Sequence, residues 1–139
     1  MMTRLNLDQK SAQYAQEIVK AGTSAKEPKA VENLITKTLG ILQEQGVYAM
    51  MLFLFSRSSD ENSIAEKIRP PLYKLLSELP TFSQNEQLKA LQNGQTKAAP
   101  TLDFYSNQVC ESLDTLLLVR DLYEQTLIYA RYGAKAEGK

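Results

Sequence analysis

The sequence predicts an all-α fold: a compact single-domain bundle of about six helices over residues 1–139, ending in a long C-terminal helix. Three observations predict it. Apolar residues recur three and four positions apart through almost the whole chain, which is the spacing of one helix face. Residues that start and stop helices, among them Pro28, Gly46 and Gly94, fall between these stripes. The one run with strand character, Val47 to Phe55, has no second strand to pair with.

The first helix is expected over about 8–21, with Asp8 as N-cap, Gly22 as the residue just past its end, and Ser11, Ala12, Tyr14, Ala15, Ile18 and Val19 on one face. The second opens at Pro28, a residue suited to a first turn, and carries Val31, Leu34, Ile35, Thr38, Ile41 and Leu42 as its stripe. Gly46 ends it, in a left-handed conformation that only glycine reaches without penalty, while Gly40 sits opposite the stripe and weakens the helix by about 1 kcal/mol relative to alanine. The third is the apolar run 47–55, expected as a fully buried core helix because Ala49, Met50, Met51, Leu52 and Leu54 are good helix formers. The fourth spans about 60–79 and keeps Ile64, Ile68, Leu72, Leu75, Leu76 and Leu79 in phase across Pro70 and Pro71, as a kinked helix or two helices in line.

Ser83-Gln84-Asn85-Glu86 has the pattern of a capping box and starts a short fifth helix that buries Leu88 and Leu91 and stops at Gly94. A loop at 95–100 leads to the sixth, expected from about 101 to 132 and almost 50 Å long if unbroken. Its main stripe is Leu102, Tyr105, Val109, Leu113, Leu116, Tyr123, Leu127, Ala130 and Ala134. Leu118, Leu122 and Tyr129 form a second apolar line nearly opposite, with Phe104 behind them. A helix apolar on two sides is either central in its bundle or meets another chain, and both readings stand; Leu118, Leu122 and Tyr129 are the candidate protein interface.

Composition narrows function. The chain has no histidine and one cysteine, Cys110, which excludes a Cys-His zinc site, a Ser-His triad, a Cys-His dyad and an internal disulfide. A lone cysteine fits a reducing, cytoplasmic setting. Sixteen Lys plus Arg balance sixteen Asp plus Glu, so no global field steers the protein to nucleic acid or acidic lipid. The longest apolar run has nine residues, against roughly 20 for a membrane span. GxGxxG, P-loop, GxSxG and EF-hand patterns are absent, and no catalytic, metal or cofactor site is expected. The carboxylate pairs Asp60-Glu61 and Asp121-Glu124 read as solvated structural charge. Among basic residues, Arg57, Lys67, Arg69 and Lys74 cluster in sequence and could grip phosphates, although Asp60, Glu61, Glu66 and Glu78 are interleaved with them. Arg120 falls within the main stripe of the sixth helix, where it snorkels, pairs with a carboxylate or points at a partner.

Three stretches carry a resemblance to a known family. They are Ser11-Ala12-Gln13-Tyr14-Ala15 leading to Ile18-Val19; Ile41-Leu42-Gln43-Glu44-Gln45-Gly46-Val47 running into Leu52-Phe53-Leu54-Phe55-Ser56-Arg57; and Glu111-Ser112-Leu113 followed by Leu118-Val119-Arg120. Together they resemble the small helical subunit of the Cmr complex, the type III-B CRISPR effector that is guided by RNA to cleave RNA. In that family a helix ends at a glycine, and an apolar helix follows that closes with a small and a basic residue. The chain departs from the family in lacking Trp and in having Asp121 where a second basic residue is common.

The resemblance implies a non-catalytic subunit. Several copies would stack beside the backbone subunits and line the channel that holds guide RNA paired with target RNA. Arg57, Lys67, Arg69, Lys74 and Arg120 would be the RNA contacts, with Arg131 the next candidate. Two further readings remain: a helical adaptor that binds only protein, and an enzyme using carboxylates and a metal.

Overall fold

A computed structural model describes residues 4–94 and 97–139, with Arg4 and Leu5 described in their backbone only. Seven α-helices and no strand occur among the described residues: α1 Arg4–Ala25, α2 Pro28–Gln45, α3 Val47–Phe55, α4 Ser59–Ser77, α5 Glu86–Gln92, α6 Ala98–Phe104 and α7 Leu113–Glu137. None is long and apolar enough to cross a membrane.

α1 runs past its expected stop. Gly22 lies inside the helix, where α1 meets α2; a Cβ there would stand 3.0 Å from Cγ1 of Val31. The glycine serves close packing, and Asp8 is likewise interior rather than a cap. α2 begins at Pro28 and ends before Gly46 as expected. Gly46 takes φ 98° and ψ −174°, a positive-φ extended conformation that is essentially glycine's alone, rather than a left-handed turn. Its N–H donates to the Leu42 carbonyl at 3.0 Å and its carbonyl accepts from Met50 N–H at 3.1 Å. One residue therefore closes α2 and opens α3.

α3 has the expected bounds but is not wholly buried. Val47, Met50, Met51 and Leu54 face the core, while Tyr48 and Leu52 lie one turn apart on an exposed side. α4 passes through Pro70 and Pro71 as one helix, burying Ile64, Ile68, Leu72, Leu75 and Leu76. The cap of α5 is Asn85, not Ser83: Asn85 Oδ1 accepts from Leu88 N–H at 3.0 Å.

The expected unbroken sixth helix is two helices. The loop read at 95–100 lies partly outside the described residues, and the chain is already helical from Ala98. α6 widens into a π-helical turn, Tyr105–Val109, closed by Cys110 N–H donating to Tyr105 O at 2.9 Å. The wider turn lets the consecutive rings of Phe104 and Tyr105 both enter the core. Ser112 then caps a new helix, its Oγ accepting from Thr115 N–H at 3.3 Å.

α1, α2, α4 and α7 form the body of the bundle, and α6 packs against α3 and α5. α7 runs parallel to α1, since Tyr129 meets Asp8 and Gly133 approaches Val19, and antiparallel to α2, since Arg120 meets Gln43 and Gly138 approaches Pro28. α4 runs antiparallel to α1 through Tyr14–Glu78 and Lys74–Glu17. The core is mainly apolar, with Ser11, Thr38, Arg69, Thr101 and Thr126 as buried polar residues and one pair of linked tyrosine hydroxyls at its centre. Tyr123 donates to the Leu72 carbonyl at 3.2 Å, so Tyr105, 2.6 Å from the Tyr123 oxygen, donates to it. Burial pushes both phenols well above their ordinary value, and both stay protonated.

Candidate nucleic-acid interface

The last carbonyls of a helix have no partner within it, and a cation near them also offsets the negative end of the helix dipole. Neither α2 nor α3 has a basic residue in its last turn. Three arginines from elsewhere fill that role, and all three are among the expected RNA contacts.

Arg120, on α7, donates through Nη2 to the Gln43 carbonyl at 2.7 Å, at the end of α2. One turn on, Glu124 accepts from the Gln43 side-chain amide at 2.9 Å, so α7 holds Gln43 by main chain and side chain together. Arg57 turns back on the helix it follows: Nε donates to Phe53 O at 3.1 Å, and the guanidinium stands 3.9 Å above the Phe53 ring. Its remaining donors reach Glu61 at 3.2 Å and Ser56 Oγ at 3.0 Å. Arg69, on α4, donates to Leu54 O at 3.3 Å and stacks 4.1 Å from the Phe55 ring. Burial pulls its pKa below the usual arginine value, against the neighbouring Tyr73 and Glu66, which raise it.

Arg69 is 7% exposed and is not a surface contact; a phosphate reaches it only if α3 and α4 part. Arg57 and Arg120 are part-exposed; Arg57 spends one donor from each nitrogen on Phe53 O, Glu61 and Ser56, and Arg120 spends one on the Gln43 carbonyl. Within the chain Arg120 meets a backbone carbonyl at the exposed edge of the bundle and makes no carboxylate pair among the described residues.

Lys67 and Lys74 differ. Both are exposed, seven residues apart on α4. Lys74 pairs with Glu17 of α1 at 3.2 Å, in a bridge about half open to solvent, and Lys67 makes no ion pair among the described residues. The interleaved acids are mostly engaged: Asp60 with Lys26, Glu61 with Lys37 and Arg57, Glu78 with Lys10 and Tyr14. The Lys37 ammonium, with Arg57 behind it, holds the Glu61 carboxyl below the usual carboxylate range. Lys20 and Lys135 are further exposed cations; Lys20 has no basic residue one turn away on α1, and Lys135 lies one turn after Arg131 on α7. No group of three or more Cys, Asp or Glu side chains is placed to hold a metal among the described residues.

The second apolar line of α7 is not an open strip. Leu122 is 5% exposed and packs within the bundle, whereas Leu118 is 39% exposed. Tyr129 is half-buried and donates to Asp8 Oδ1 at 2.7 Å, a bond that raises the phenol's pKa. The more exposed leucines lie earlier on α7, at Leu113 and Leu117, one turn apart. Leu113, 69% exposed, was expected in the buried stripe; the break at 110–112 rotates it out.

No family model, curated protein or solved structure matches the chain.

Proposed function

We propose that this protein is a non-catalytic small subunit of a type III-B CRISPR (Cmr) effector, stacking with copies of itself and the backbone subunit and helping to hold guide RNA and target RNA. The observation that carries the reading is the junction of α2 and α3. A helix ends at Gly46, an apolar helix follows without a linker, and it closes with Ser56 and Arg57, the layout of the resemblance. The RNA surface in this proposal is the solvent face of α4, with Lys67 and Lys74 as phosphate contacts and Lys20, on the adjoining α1, as a supplement. Two lysines make a weak, sequence-independent and salt-sensitive contact, which gains strength only when copies align along one RNA.

The test is a titration of fluorescent single-stranded RNA at several salt concentrations, with the wild type and with Lys67→Glu/Lys74→Glu. The double reversal is expected to weaken binding and to flatten the salt slope by about 1.4, roughly 0.7 per lost contact on a single strand. Unchanged affinity and slope would remove α4 from the RNA surface.

The second reading, an adaptor that binds only protein, is favoured by the inward-turned arginines and by the exposed Leu113 and Leu117. Its expected outcome is no RNA affinity at low salt, in the isolated protein and in the assembled complex alike.

A further inference from the structure

A groove lies where the first turns of α1 meet the middle of α7, and one of its lining side chains makes no hydrogen bond within the fold. Ser11 is 1% exposed, and its Oγ has no hydrogen-bond partner. Buried hydroxyls elsewhere in this protein do not behave so. Thr38 Oγ1 donates to Leu34 O at 2.8 Å and Thr126 Oγ1 to Leu122 O at 2.7 Å, each bonding the carbonyl one turn back, as helical Ser and Thr commonly do. A buried hydroxyl left unsatisfied is unfavourable, and a native one calls for a partner.

The rest of the lining specifies that partner. Leu7, Leu118 and Leu122 give the groove apolar walls. Asp8 and Asp121 line it too, and neither pairs with a cation among the described residues. Asp8 Oδ1 is held by the Tyr129 hydroxyl at 2.7 Å, which fixes the carboxylate at the edge of the groove. Two carboxylates repel a phosphate, so the groove does not suit nucleic acid. A bare metal ion would find too few charged ligands and make no use of the apolar walls. An arginine side chain uses everything present. Its methylene stem lies along leucine, and its planar fork of five donors meets acceptors at more than one point of the lining, where a lysine offers a single compact charge.

We propose that this groove is a socket for an arginine side chain presented by a partner protein. The proposal goes beyond the RNA reading and does not depend on it, since an RNA-channel subunit and a protein-only adaptor would both use such a socket.

The experiment is a titration of the isotope-labelled protein, followed by NMR, with acetyl-arginine-amide, with neutral acetyl-citrulline-amide of nearly the same shape, and with acetyl-lysine-amide and spermidine. The arginine probe is expected to give saturable shifts at Asp8, Ser11 and Asp121, at least fivefold tighter than citrulline and tighter than lysine. Asp121→Asn, a change at an exposed residue, is expected to weaken the arginine probe about tenfold. Ser11→Ala is expected to weaken it while leaving Tm unchanged or higher, because the hydroxyl has no structural bond to lose. Equal binding of arginine and citrulline, or no saturable shift in the groove, would overturn the proposal. A clear fall in Tm for Ser11→Ala would also overturn it, by making the hydroxyl structural. Preference for spermidine would overturn it by making the ligand a free polyamine. Arg4 stands one turn before Asp8 in the chain, so the titration is repeated on Arg4→Ala; binding seen only there would make Arg4 itself the occupant and remove the partner.

Discussion

The basic residues near α3 and those on the outer face of α4 look alike in sequence and do opposite things in the fold. Arg57, Arg69 and Arg120 point at carbonyls that close α3 and α2. Lys67 points at water, and Lys74 stays exposed in a half-open bridge to Glu17. The chemistry of the two side chains explains the division. A guanidinium is weakly hydrated, planar and always charged, so it can give up water, stack on Phe53 or Phe55 and still donate in several directions. An ammonium is compact and strongly hydrated, and burying one without a full set of partners is far less favourable. Charge near a helix end is therefore read first as a cap, and the cations left over are the ones available to a ligand.

The largest expected effect in breaking this comparison comes from Arg69. Arg69→Ala removes the guanidinium that stacks on Phe55, leaves a cavity, and takes away the donor to Leu54 O. A loss of about 2–4 kcal/mol is expected, seen in denaturant melts as a lower midpoint with unchanged slope. Arg69→Met keeps most of the volume and drops the charge, so it should recover a large part of the loss. A harmless Arg69→Ala would show that the α3 end needs no cap.

The junction that these arginines guard is the next test. Gly46→Val puts a β-branched residue at φ 98° and is expected to lower stability by about 1–3 kcal/mol, although nothing crowds its Cβ. Gly40→Ala meets open space within a regular helix and should raise stability by up to about 1 kcal/mol. Opposite signs in paired thermal melts locate the strain at the junction; equal effects would deny it.

Arg120→Ala is expected to be milder, about 1 kcal/mol, because the Gln43 carbonyl lies near solvent and Glu124 still holds the Gln43 side chain. Arg120→Lys should restore the charge but not the reach across α7 to α2, recovering less than half. Full recovery in thermal melts would mean that charge alone, and not the guanidinium's geometry, caps α2.

The parts of this fold that the sequence discloses are those set by local rules. Pro28 and Gly46 mark the ends of α2 because their backbone preferences hold wherever they occur. Gly22 misleads by the same rule, since its reason for being glycine is Val31 on another helix. The break before α7 had a local sign, Ser112 three residues ahead of Thr115 with Asp114 in the first turn, but it was hidden inside a continuous apolar stripe. The π turn that shifts the phase has no such sign. At the candidate site, the positions of the basic residues were legible and their occupation was not. A guanidinium bonding a carbonyl 15 or 77 residues away follows no spacing. Ser11 was placed on the inner face of α1, but that its hydroxyl would be unpartnered depends on the groove that α7 completes.

The smallest expected effect is the other half of the comparison. If Lys67 and Lys74 are held out for a ligand and do nothing for the fold, Lys67→Glu/Lys74→Glu should shift stability by no more than about 0.5 kcal/mol. Only one contact is at stake, the bridge from Lys74 to Glu17, and both of its side chains are about half open to solvent. Reversal of Lys74 places a second carboxylate opposite Glu17, a like-charge pair that salt screens, so any loss should vanish between about 50 mM and 500 mM salt. Thermal melts at both salt concentrations decide the point. A salt-independent loss of about 2 kcal/mol or more, on the order of the Arg69→Ala effect, would show that the α4 lysines are structural after all. The division between capping arginines and free lysines would then fail, and a weaker RNA titration with the same double variant would have to be read as a damaged fold rather than as a lost contact.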